Sequence, residues 1–167
     1  FHFEDGAAEA VFEALRSYQN PDGGFGNGLE PDLFASESTV ICTSVAFQIM
    51  ASTQPRAESD SAMEMQQRAV AYLLQALDKE KGHWRIIPAS LAESPRAPWW
   101  QENGRAASFD AFSLNPTAEI LGLAYAHGFL SDSSLLERIT KQVVDTIEAT
   151  DEIEMHDLFC CLRLLNA

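Results

Sequence analysis

The sequence predicts an all-α fold, a stack of about three helical hairpins. Three observations carry that reading. Apolar residues recur at helical spacing, and no segment keeps up a strand alternation. Two kinds of helix alternate: amphipathic ones over 7–17, 61–77 and 134–147, and ones apolar on nearly every face over 39–50, 116–127 and 157–165. Turn signals separate them. A helix apolar all round needs cover all round, and an amphipathic helix supplies it while still meeting water. The alternation therefore describes inner apolar and outer amphipathic layers.

Each element has its own warrant. Ala7, Ala10, Val11, Ala14 and Leu15 fall on one face of the first helix. Val40, Ile41, Val45, Ala46, Phe47, Ile49 and Met50 make the second too long an apolar run for a strand. Ser61 and Glu64 open the third at capping-box spacing, and Ser134 with Glu137 does the same for the fifth. Asn115-Pro116 is a strong start for the fourth, Asn at the N-cap and Pro at the first helical position. His127-Gly128 ends it. Leu158 to Leu165 is apolar almost throughout.

Composition bounds the function. The 167 residues suffice for one domain, 1–167, or for a piece of a larger one. Apolar residues make up 46%, enough for a real core. Eleven Lys+Arg against 25 Asp+Glu leave a formal charge of −14. A field of that sign repels phosphate backbones, so no nucleic-acid partner is expected. No apolar run is long enough for a membrane span. From Lys79 to Arg105 the balance is locally +2, the first place to look for an anionic ligand. Cys42, Cys160 and Cys161 all lie in apolar stretches, which reads as buried reduced thiols in a cytoplasmic protein.

Two loops repeat a pattern. Tyr18-Gln19-Asn20-Pro21-Asp22-Gly23-Gly24-Phe25-Gly26 follows the first helix, and Tyr72…Gln75…Gly82-His83-Trp84 follows the third. Each reads aromatic, Gln, turn, Gly, aromatic. Gln19 and Gln75 are expected to bond loop backbone, with Phe25 and Trp84 packed at equivalent places and no strand through either motif.

These motifs resemble the QW-type repeats of the terpenoid cyclase and protein prenyltransferase-like α/α-toroid superfamily. With Leu29-Glu30-Pro31-Asp32-Leu33, Ala97-Pro98-Trp99-Trp100 and Asn115-Pro116-Thr117-Ala118-Glu119, they are most similar to bacterial prenyltransferase-like proteins of no assigned reaction. The resemblance implies an α/α-toroid-like stack, a partial toroid, and an isoprenoid or other hydrophobic small molecule bound or converted. A closed toroid needs roughly a dozen helices. The chain is thus expected to be a fragment or an open arc, with an apolar patch on its last helix covered by further chain or, in a homo-oligomer, by a second copy.

The resemblance leaves the chemistry open. Cyclases of this kind protonate an alkene with an Asp of an Asp-rich run on an inner helix. The matching stretches here, Val40-Ile41-Cys42-Thr43-Ser44 and Leu114 to Ala118, carry no acid. The transferases hold zinc, and His156-Asp157-Leu158-Phe159-Cys160 matches that motif loosely. His156 and Cys160 share a helix face as two metal ligands would, though a zinc site wants three or four; otherwise Cys160 is core and His156 caps the helix. No cofactor is implied, with zinc or magnesium left open.

Candidate catalytic carboxylates are Glu119, Glu30 and Asp32. Glu119 interrupts an apolar inner helix, where burial would raise its pKa and make it a proton donor; alternatively it satisfies amides at the helix start. Glu30 and Asp32 flank Pro31 as an acid–base pair or as solvated turn residues. Trp99, Trp100 and Phe109 would wall a cavity or simply cover the core, and Arg96 with Arg105 would hold an anionic head group. Two readings of function follow: an isoprenoid-handling enzyme, or a non-catalytic binding or scaffold module. A polysaccharide-processing α/α-barrel is a distant third.

Overall fold

The computed structural model describes residues 8–53, 60–88, 91, 95–100, 109 and 111–167. It is mostly helical. The α-helices are α1 (Ala8–Arg16), α2 (Val40–Thr53), α3 (Asp60–Ala76), α4 (Leu114–His127), α5 (Ser133–Glu148) and α6 (Met155–Leu165). A two-residue ladder pairs β1 (Leu77–Asp78) with β2 (His83–Trp84), and a short 3-10 turn spans Pro98–Trp100. No described helix is long and apolar enough to cross a membrane. The chain forms two compact units, one within 1–73 and 88–101, the other within 74–87 and 102–167.

In the first unit, α1 packs on α2 and buries Phe12 and Leu15, and α2 buries Val40, Ile41, Cys42, Ala46, Phe47 and Met50. The loop after α1 is tied down by side chains reaching backbone. Gln19 Nε2 donates to the carbonyls of Gly23 and Met65, each at 2.9 Å, and Arg68 donates to that of Asn20 at 2.8 Å. Asp22 accepts from the Gly24 amide at 3.0 Å and from the Ser38 hydroxyl at 2.7 Å. Phe25 is wholly buried, and its amide donates to Thr43 Oγ1 at 3.0 Å. Two glycines are required here. A Cβ at Gly26 would stand 2.2 Å from the Glu37 carbonyl oxygen, and Gly23 combines φ +92° with an Arg68 carbonyl 2.3 Å from where its Cβ would be.

In the second unit, the β1–β2 turn closes with the Gly82 amide donating to the Asp78 carbonyl at 2.7 Å. Asp78 Oδ1 accepts from the Glu80 and Lys81 amides. From α5, Arg138 holds the Lys79 and Glu80 carbonyls. Helix α4 is buried along Ile120, Leu121 and Ala124 and packs chiefly on α6. Gly122 makes that approach close, since a Cβ there would stand 3.0 Å from Leu164 Cα. Helix α5 contacts α4 as well and buries Leu135, Ile139 and Val143.

Several expectations shift. Strands do enter the motifs, as the β1–β2 ladder and as single bridges between Gln19 and Phe25 and between Phe25 and Thr39. Each loop turns back tightly enough for backbone groups left by the ending helix to find one antiparallel partner. The aromatics are nonetheless both fully buried. In register, Trp84 pairs with Leu77 as Phe25 pairs with Gln19, so Leu77 takes the place assigned to Gln75. Gln75 itself is exposed, and Asp78 and Arg138 serve its loop instead. The cap of α5 is Asp132, whose carboxylate accepts from the Leu135 amide at 3.1 Å and from the Ser134 hydroxyl. An ionised acceptor at the positive helix end outcompetes the serine. Ser61 falls inside the first turn of α3 rather than before it. As expected, Gly128 caps α4, at φ +64° with its amide donating to the Ala124 carbonyl, and Asn115 ahead of Pro116 is extended (φ −93°, ψ 120°).

Candidate functional site

Glu119 is the one charged residue on the buried surface of α4 and is 5% exposed. It faces α6, where Arg163 Nη1 stands 3.3 Å from its Oε2. The Cys160 thiol lies between them in chemical terms, 3.7 Å from the same oxygen and 3.7 Å from Asn115 Oδ1. The Asn115 amide donates to Asp157 Oδ1 at 3.0 Å. Two residues of α4 and three of α6 thus form one polar seam inside an otherwise apolar contact.

The electrostatics of the seam are those of a structural bond. Burial, then the neighbouring Glu119 charge, pushes the Cys160 thiol up to about 12, with Arg163 opposing weakly. Cys160 is therefore a thiol at neutral pH and no nucleophile. Burial also raises Asp157, against the Asn115 amide that favours its charged form. Glu119 is held by the Arg163 guanidinium. The acid that interrupts α4 answers the cation that interrupts α6.

The other candidates divide between the two units. Asp32 is exposed, and its carbonyl accepts from the Ala97 amide. Glu30 is half-buried near Cys42, whose thiol is raised by burial and further by the Glu30 charge. Arg96 bridges to Leu33, and Trp100 is partly buried in the 3-10 turn; both belong to the first unit. Phe109 is buried in the second unit with Glu119. The first unit thus holds Glu30, Asp32, Arg96 and Trp100, and the second holds Glu119 and Phe109. Arg105 and the Trp99 side chain lie outside the described residues.

His156 and Cys160 part company as ligands. His156 is exposed with Nδ1 3.0 Å from Glu154, while Cys160 faces α4. Among the described residues no group of three or more His, Cys, Asp or Glu side chains could hold a metal. All three cysteines are buried and free.

The basic stretch contributes Lys81 to an open groove of about 630 Å³ along α5, beside Arg138, Lys141, Gln142 and Thr146. Its cations are already engaged. Lys81 is 3.8 Å from Asp78, Lys141 is 2.5 Å from Asp145, and Arg138 serves the loop carbonyls.

The remaining feature is the outer face of α6. Met155, Leu158, Phe159, Leu162 and Leu165 are 56, 39, 45, 43 and 81% exposed. At about 100° per residue they fall on one stripe, opposite the side that carries Cys160 and Leu164. The expected apolar patch on the last helix is present. Sequence reasoning missed Arg163, although its signal was there: it is the only Lys or Arg after Lys141, set in an apolar helix as Glu119 is.

No protein-family model, curated protein or solved structure matches the chain.

Proposed function

We propose that this chain is a non-catalytic binding module of the α/α-toroid-like type that presents its last helix to a partner. The carrying observation is the apolar stripe on α6, five large side chains each more than a third exposed. Contiguous patches of that kind on soluble proteins mark interaction surfaces. The engagement of Glu119 by Arg163 supports the same reading, because it ties up the one buried acid among the described residues. Incubation with farnesyl or geranylgeranyl diphosphate should return both substrates unchanged. An apolar dye should bind the protein and lose most of its signal in Leu158→Ser/Leu162→Ser.

A second reading keeps the isoprenoid enzyme. Its support is the burial of a carboxylate on α4, one turn after Asn115-Pro116. Turnover of a prenyl diphosphate or polyene that disappears in Glu119→Gln would replace the first reading with this one.

A further inference from the structure

Resting on the binding-module reading, we infer that the outer face of α6 receives a cationic amphipathic helix from another protein. The stripe of Met155, Leu158, Phe159, Leu162 and Leu165 covers about 120° of the helix, the width that a single helix buries against a neighbour. Helix-in-groove recognition reads such anchors at i, i+3, i+4, i+7 spacing.

Charge selects the occupant. The segment that leads into the stripe carries Glu148, Asp151, Glu152 and Glu154, all exposed. No Lys or Arg lies between Lys141 and Arg163. Glu154 uses one oxygen to cap α6 by accepting from the His156 amide at 2.7 Å, and its neighbours on the loop remain acidic toward solvent. One end of the stripe is therefore strongly negative. Arg163, at the other end, is partly committed to Glu119. A partner helix with Lys or Arg at the end that meets 148–154 gains complementary charge and faster encounter. A second copy brings the same acidic rim and a net charge of −14, a like-charge encounter that costs affinity. Area agrees. A standard dimer interface buries about 800 Å² per partner, whereas an apolar patch of this kind offers on the order of a few hundred. That suits one helix.

The experiment titrates the whole chain with a labelled leucine/lysine amphipathic peptide and follows anisotropy. A leucine/glutamate peptide of equal hydrophobicity and a scrambled leucine/lysine peptide serve as controls. The leucine/lysine peptide should bind at least tenfold tighter than either control. Leu162→Ser should weaken it about tenfold, Asp151→Asn/Glu152→Gln about threefold, and added salt should narrow the difference. Leu158→Gln repeats the test on a separate exposed position, with circular dichroism reporting that each variant folds. Equal binding of the glutamate peptide, or indifference to both Leu variants, overturns the inference. Self-association abolished by Leu162→Ser assigns the face to a second copy, which overturns the cationic helix and leaves the binding module standing. A monomer that binds no peptide and no apolar dye overturns both.

Discussion

Arg163 Nη1 reaches across from α6 to within 3.3 Å of Glu119 Oε2 on α4, so the two residues that break the apolar runs of these helices satisfy each other. Glu119 is 5% exposed and Arg163 keeps 43% of its side chain in water, which makes the pair one-sided. Removing the exposed partner strands a buried carboxylate; removing the charge from the buried partner leaves an amide that can still accept. Arg163→Ala should therefore cost roughly 1–3 kcal/mol and Glu119→Gln clearly less. Urea unfolding of both and of the double variant decides it. A double-mutant cycle with no coupling would deny the bond.

Phe25 and Trp84 are both fully buried, one in each unit. Phe25→Ala and Trp84→Ala should each destabilise by roughly 3–5 kcal/mol in denaturant unfolding. A loss under about 1 kcal/mol for either would mean that its loop collapses without cost, against the burial seen.

Two glycines separate steric need from backbone need. Gly26 has no room for a Cβ against the Glu37 carbonyl, while Gly128 has open space and only a positive φ of 64°. Gly128→Ala should cost about 1 kcal/mol and Gly26→Ala distinctly more. Equal thermal shifts for the two would contradict this.

His83 gives a pH dependence. Burial beside Phe112 lowers its pKa below the ordinary histidine value; Asp78 opposes, and Lys81 and Arg85 assist. Below about pH 6.5 the unfolded chain takes up a proton that the folded chain refuses. The contribution is thus fully present above that pH and is lost as pH falls through the window toward the folded pKa. His83→Phe should flatten stability against pH below about pH 6.5 relative to the parent. An unchanged slope would show that His83 is not its source.

The helices were the legible part of the sequence, because the face that each must bury is written in its apolar spacing. Helix ends were less so. Asp132 rather than Ser134 caps α5, since several acceptors compete within a turn and charge breaks the tie. The loop register was misleading at Gln75: sequence similarity aligned the two Gln residues, while pairing of the buried aromatics aligns Gln19 with Leu77. For the candidate site, the isolated acid of α4 was conspicuous and its partner was not, because Arg163 lies 44 residues away. Opposite charges that each interrupt an apolar helix are a readable signal for a cross-helix pair.

On the binding-module reading, α6 is covered from outside by a partner helix. Hydrogen–deuterium exchange on the intact chain, with and without the leucine/lysine peptide, tests it most directly. Added protection is expected to concentrate in residues 155–165, with α1 to α3 unchanged. Protection spread evenly over the chain, or none within 155–165 at saturating peptide, would contradict it.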